Sequence, residues 1–474
     1  MKTPLQSDKE NRHEILHRVL SVAKKYFADE GERPPGVFIP DVPMDQLPHH
    51  GRGALDTLEF FEKEYAPHLN NSAGPRYFGF VTGGSTPAAM AGDWLVSTYD
   101  QNACGSNDSI APQIERQTIH YFRQLFGLPD EYSGSFVTGA TMSNFVGLAL
   151  ARQWAGERSG INPANDGISG LQLKIFSGTP HSSIFKSLSM LGIGRSALTL
   201  VATQADREAV DPNALERLLA GQQGPAIVVA NAGTVNTGDF DDLVRIAELK
   251  QKYNFWLHVD AAFGGFAACS EKLRHLIKGI DAADSITVDA HKWLNVPYDS
   301  AMQFTRHAVL QRAVFQNAGA SYLTNPLISN DFLHLTPENS RRWRALPAWF
   351  TLRSYGREGY RELVERNCML ATELGKRIQG NDGFELLSPV RLNIVCFTLS
   401  YPNVDFKSVQ TFLETVRDEG NVFFTPTVYK DRPAIRAAIS NWQTRVDDID
   451  IAFRSLIAAR DRLQLSGQLE VSEG

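Results

Sequence analysis

The chain has 474 residues, 43% of them hydrophobic and 21% charged, with a formal net charge of −6. This is the composition of a folded globular protein, too long for one ordinary core, so a large domain with one or two smaller pieces is expected. A mildly negative balance offers no basic field to nucleic acid or anionic lipid, and both are poor candidate partners.

No apolar run is long enough to cross a bilayer, and the opening MKTPLQSDKENRHEILHRV lacks the apolar core of a signal peptide. The expectation is a cytoplasmic protein without a membrane partner. Cys104, Cys269, Cys368 and Cys396 are scattered with no CxxC spacing, so neither a disulfide framework nor a metal site is indicated.

In chain order, Ile15, Leu16, Val19, Leu20, Val22, Ala23 and Phe27 recur at helical spacing and stop at EGERPPG; a second helix is predicted over Leu55 to Tyr65. Neither has neighbours enough for its own core, which suggests an arm, residues 1–75, packed on something larger. From about Pro75 the pattern changes. SFVTG, QLKIFS, ALTLVAT, AIVVANAG, FWLHVD, SITVDA and AMQFT read as strands, most of them separated by helical segments. That is an α/β pattern with a mostly parallel sheet covered on both faces, and ligands of such sheets sit beyond the C-terminal strand ends. The large domain is placed at 76–345. Phe315 to Ser340 shows little periodicity and reads as a lid or a poorly ordered loop. RRWRALPAWFTLRSYGREGYRELVERN resumes as a long helix, and RLNIVCFTLS and AIRAAIS are strands of a small α+β C-terminal domain, residues 346–474.

Four strand ends carry unusual residues. In SFVTGATMSNFVGLALAR a strand breaks at Gly139 and a helix begins near Thr141; bare amides and the hydroxyls of Thr138, Thr141 and Ser143 suit a phosphate, although taken alone the junction is more simply explained by ordinary capping through Thr141 or Ser143. His181 follows the next strand. A lone histidine is ordinarily a satisfied structural residue, yet its flat ring also suits stacking on a planar heterocycle. Asp260 ends the apolar strand FWLHVD, where a carboxylate needs a cation or a donor facing it; a cap or a hydrogen-bonded core aspartate is the bland alternative. Lys292 follows SITVDA, and a partly desolvated lysine is a usable amine for an imine. One cofactor uses all four pieces at once: pyridoxal 5'-phosphate needs an imine lysine, a carboxylate at the pyridine nitrogen, a phosphate cradle and a ring partner.

Over nearly its whole length, on RYFGFVTGGSTPAAMAGDWL, HVDAAFGG, DAHKW and RRWRALPAWF, the chain resembles the group II pyridoxal-phosphate-dependent amino-acid decarboxylases, which include the aromatic-amino-acid and glutamate decarboxylases. The resemblance implies fold type I of the PLP-dependent transferases, the aspartate-aminotransferase-like fold, in a homodimer with shared active sites, where residues near Asn102 to Ser106 face the neighbour's substrate pocket. It implies that Lys292 carries the cofactor as an imine, Asp260 partners the ring nitrogen, His181 stacks on one ring face and Ala262 packs on the other. Ala140, Thr141 and His291 would hold the phosphate, with Thr234 near the ring. The reaction implied is decarboxylation of an L-amino acid to an amine and carbon dioxide through a quinonoid, with Phe80 and Val81 as apolar pocket walls.

The chain also departs from the family. Counting back from Arg341, the position of a loop tyrosine thought to reprotonate the substrate carbon is held by Phe332, which has no proton to give; Tyr322 and His334 are the other candidate donors. An oxygen-consuming decarboxylating aldehyde synthase is therefore the alternative product outcome, with a noncatalytic cofactor-binding dimer behind it. Val235 replaces a second threonine after GT, and Trp442 stands near a C-terminal arginine of aromatic-acid decarboxylases, for which Arg445 is a substitute. No GxGxxG, GxSxG, Walker loop or HExxH pair supports a nucleotide-binding, hydrolase or metalloprotease reading.

Overall fold

A computed structural model describes residues 2–105, 109–317 and 330–465. The strands are β1 (Ser133–Val137), β2 (Lys174–Ser177), β3 (Leu198–Leu200), β4 (Ala226–Asn231), β5 (Trp256–Asp260), β6 (Ser285–Asp289) and β7 (Ala301–Thr305), in the spatial order β1-β7-β6-β5-β4-β2-β3. The pairs joining β6, β5, β4, β2 and β3 are parallel, as the apolar runs separated by helices predict. β7 is antiparallel to both β6 and β1. The reason is chain length: residues 290–300 hold no helix and cannot return the chain for a parallel crossover. β4 to β7 are buried throughout, because helices cover both faces.

A second sheet follows: β8 (Phe384–Leu386), β9 (Ile394–Leu399), β10 (Thr425–Tyr429) and β11 (Arg432–Ala438), all antiparallel, in the order β10-β11-β9-β8. β10 and β11 form a hairpin whose two loop residues, Lys430 and Asp431, both have positive φ, 49° and 60°, the backbone of a type I′ turn. The sequence hides β10, since Pro426 argues against a strand. It is tolerated because β10 lies at the sheet edge.

The predicted long helix runs Ala345–Gln379, kinked at Gly356 where φ is 59°. Its first half packs Ala345, Leu346, Ala348, Tyr360, Leu363 and Val364 into the core of the large sheet. Its second half packs Leu370, Ala371, Leu374 and Ile378 into the core of the small one. A single helix therefore ties the two sheets together. The N-terminal helices Arg12–Ala28 and Ala54–Glu64 bury none of their residues, and the strap after the first leaves Phe38, Ile39, Met44 and Leu47 exposed. Among the described residues no helix is long and apolar enough to cross a membrane, and no group of three side chains could hold a metal ion.

Candidate active site

Asp260 and Asp289 stand at the C-terminal ends of adjacent parallel strands, with Asp260 in register with Thr287. Beyond β6 the chain folds back sharply. The amides of Ala290 and His291 both donate to the Ser300 carbonyl at 3.0 Å, and Ser300 N–H donates to His291 Nδ1 at 3.1 Å. This closed loop presents Lys292, whose Nζ reaches back to Asp289 Oδ2 at 2.9 Å. Asp289 is buried, and its Oδ1 has no hydrogen-bond partner. Across the lysine's backbone lies Gly83; a Cβ there would sit 1.7 Å from the Lys292 carbonyl oxygen, so only glycine lets residues 77–84 cross the loop.

Asp260 is buried. Its Oδ1 accepts from the Ala262 amide at 3.2 Å and its Oδ2 from Asn144 Nδ2 at 3.0 Å. Asn144 comes from the helix Ala140–Arg158, which begins directly after β1. No side chain caps this helix at Gly139, and its first residues are only half-buried, so its leading N–H groups face the opening. His291 lies beside this start, with its Cε1 3.4 Å from where a Cβ of Gly139 would be.

His181 caps the helix Ser182–Met190: its Nδ1 accepts from the Ser183 amide at 3.2 Å and lies 2.8 Å from Ser183 Oγ. With Nδ1 accepting, the ring's proton resides on Nε2. The residue is exposed to solvent, with part of its ring desolvated against the protein. That desolvation lowers its pKa, opposed by Asp260 and Asp289 and assisted by Lys292 and Arg436. Burial likewise lowers the pKa of His291, against the pull of Asp289. Both rings are thus neutral at physiological pH, each with one N–H to donate.

Arg436, which sequence reasoning missed, reaches this cleft from β11. Burial pulls its guanidinium down to about 10; Nη1 donates to the Val235 carbonyl at 2.9 Å, while Nε has no partner. A lone arginine in the apolar strand AIRAAIS was the available signal. Tyr298 was missed too. Its ring lies 4.4 Å from that of His291, and its hydroxyl is 3.3 Å from Thr82 Oγ1.

The structure brings Lys292, Asp260, His181, Ala262, His291, Ala140 and Thr141 to the same strand ends. Thr234 is differently engaged: its hydroxyl donates to buried Glu208 at 2.5 Å and accepts from the Asp239 amide at 3.0 Å. Of the expected pocket walls, Phe80 is 58% exposed, while Val81 is turned into the core. Phe332 and His334 are placed elsewhere. Both are buried in a 3₁₀ turn, Phe332–His334, with the Phe332 ring under the guanidinium groups of Arg341, 4.8 Å away, and Arg116, 5.4 Å away. Arg341, over this ring, donates to the Phe136 carbonyl of the edge strand β1, whereas Lys292 follows the inner strand β6. Tyr322 and Ser106 lie outside the described residues, and Asn102 bonds to Arg341, its Oδ1 accepting from the Arg341 amide at 3.1 Å.

This arrangement fits pyridoxal phosphate. The uncapped helix start supplies amides for a phosphate, and Asp260 keeps acceptor capacity beyond its two short contacts. Lys292 and the open face of His181 converge on the space between.

Comparison with known proteins agrees. An aromatic-L-amino-acid decarboxylase of Bacillus atrophaeus is 26% identical over 89% of this chain and 88% of its own. An L-2,4-diaminobutyrate decarboxylase of Acinetobacter baumannii is 30% identical over 68% of this chain and 66% of its own. The crystal structure of Oryza sativa TDC with PLP and tryptamine superposes with a TM-score of 0.87 over 98% of this chain and all of that one, at 22% identity. Residues 36–400 match the pyridoxal-dependent decarboxylase conserved domain. The chain therefore belongs to the pyridoxal-dependent decarboxylase family, as a carboxy-lyase of amino acids that works with pyridoxal phosphate.

Proposed function

We propose that the protein decarboxylates an L-amino acid to the corresponding amine, using Lys292 as the residue that holds the cofactor covalently. Bound pyridoxal phosphate supplies an electron sink for the bond broken at the substrate's α-carbon. Asp260, buried and fixed at both oxygens, holds a proton at the ring nitrogen, which favours the charge-delocalised transition state over the ground state. His181 offers a neutral ring face, and Ala262 the opposite wall. The amides of Ala140 and Thr141 and the Nε2–H of His291 bind the phosphate. Asp289 receives the Lys292 ammonium whenever that amine is free. Arg436, a buried cation donating to the Val235 carbonyl, adds positive potential on the His181 side of the cleft for the substrate carboxylate.

The observation carrying this reading is that Lys292, paired with Asp289 at 2.9 Å, and Asp260, held by Asn144 and the Ala262 amide, stand at the ends of adjacent parallel strands. The substrate is proposed only as an L-amino acid whose side chain meets Phe80 and Tyr298. We also propose a homodimer in which the arm of residues 1–75 covers a second copy. Its support is the row of exposed apolar residues, Leu16, Val19, Phe27, Phe38 and Ile39, that this chain leaves uncovered. Incubation with a panel of L-amino acids under air, following carbon dioxide, amine, aldehyde and peroxide together, tests the reaction. Amine with equimolar carbon dioxide supports it; aldehyde with peroxide replaces it by the oxidative outcome, and release of no carbon dioxide from any of them overturns it.

A further inference from the structure

Behind Asp260 lies a line of buried polar side chains for which the reading above has no use. β5 carries Trp256, His258 and Asp260 on one face, and β6 carries Ser285 next to them. Trp256 Nε1 is 3.0 Å from Ser285 Oγ, Ser285 Oγ is 2.8 Å from His258 Nδ1, and His258 Nε2 is 2.9 Å from Asn144 Oδ1. The Asn144 amide nitrogen then donates at 3.0 Å both to Asp260 Oδ2 and to Ser183 Oγ. Ser183 in turn meets His181 Nδ1.

The direction of every bond in this line is fixed by its ends. Indole N–H can only donate, and an ionised carboxylate can only accept. Ser285 therefore accepts from Trp256 and gives its own proton to His258 Nδ1, leaving Nε2–H to donate to Asn144 Oδ1. The Asn144 amide is consequently locked with its NH₂ toward the cleft; flipping it would set oxygen against carboxylate and N–H against N–H. Burial of His258, which brings its pKa down to about 4, keeps the ring in the single-proton form that this polarity requires. The helix is shaped to admit the ring. One turn beyond Asn144 is Gly147, where a Cβ would lie 2.7 Å from His258 Cε1 and Nδ1.

We infer that Asn144 is a positioning residue which, held in one orientation by the Trp256–Ser285–His258 line, sets the Asp260 carboxylate directly and the His181 imidazole through Ser183. The inference rests on the roles given above to Asp260 and His181. It makes one amide responsible for two groups on different elements, a strand end and a helix cap, so that carboxylate and imidazole keep a fixed relation at the ring they are to hold.

The test uses the holoenzyme and reads the visible absorption of its bound cofactor as a function of pH, the cofactor dissociation constant, and kcat and KM separately. Asn144→Ala removes a hydrogen bond to a charged group, an effect of roughly ten- to a hundredfold. It is expected in kcat, with KM little changed and the pH midpoint of the absorption band displaced. Asn144→Asp puts a second carboxylate against Asp260; its displacement should exceed that of Asn144→Ala and shrink as the pH falls and one carboxylate is protonated. Ser183→Ala cuts only the His181 branch and should lower kcat while leaving the midpoint of the band in place. If Asn144→Ala and Asn144→Asp both match the wild type in spectrum and kcat while Asp260→Asn collapses both, the inference is wrong and the site stands. If Asp260→Asn is itself silent, the reading of the site is wrong as well.

Discussion

Two ion pairs of the large sheet, one against its edge strand β1 and one at the end of the inner strand β6, separate chemistry from architecture by their contrast. Arg341 and Glu115 are wholly buried, 2.7 Å apart, and both are tied to one residue of the edge strand: Glu115 accepts from the Phe136 amide and Arg341 donates to the Phe136 carbonyl. The pair closes the free side of β1, where backbone groups would otherwise lack partners. Lys292 and Asp289 are 2.9 Å apart, but the lysine side chain is 21% exposed, at the mouth of the cleft. Each pair leaves polar atoms without a partner. Accessibility, then, rather than hydrogen-bond completeness, marks the pair that can react.

Breaking each pair sharpens the comparison. Lys292→Ala is expected to abolish turnover, a loss of roughly a thousandfold or more, with little change in the melting temperature of the cofactor-free protein. Glu115→Ala should do the reverse: it strands a buried guanidinium and costs about 3–5 kcal/mol in denaturant unfolding, while the folded fraction retains its kcat. Equal damage to activity and stability in both variants would erase the distinction.

A third region, the His258 line, gives a pH signature. Its folded-state pKa of about 4 lies below the ordinary 6.5, so the unfolded chain binds the extra proton more readily. The corresponding stability is fully present above pH 6.5 and is lost as the pH falls toward 4, amounting to roughly 3 kcal/mol. Unfolding curves between pH 7 and 4 should be flatter for His258→Gln than for the wild type. The smallest effect is expected at Phe332→Tyr. The buried ring packs under Arg341 and Arg116, so the ratio of amine to aldehyde should not move; a change of product would place this residue at the site of its own chain or of a second copy.

Much of the fold is legible because burial on both faces makes β4 to β7 continuous apolar runs, and because Lys292, Asp260 and His181 interrupt such patterns where strands stop. β8 and β10 are not legible: one is three residues long, and the other contains a proline that only an edge position tolerates. Asn144 reads as an ordinary polar residue of a helix, since its partners are distant in sequence. A finer signal did exist. In WLHVD and SITVD the side chains at alternate positions, Trp256, His258 and Asp260 and likewise Ser285, Thr287 and Asp289, share a face within a fully buried sheet, which is unusual unless they bond to one another. Phe332 is identified by counting along the chain alone, and a count carries no information about whether the ring meets the cleft of its own chain or that of a second copy.

The most direct measurement is reduction of the cofactor-loaded protein with borohydride, followed by peptide mapping. The account requires one pyridoxyl group per chain, on Lys292, with loss of visible absorption and of activity in step. A label on another lysine, or none with excess pyridoxal phosphate present, would contradict it.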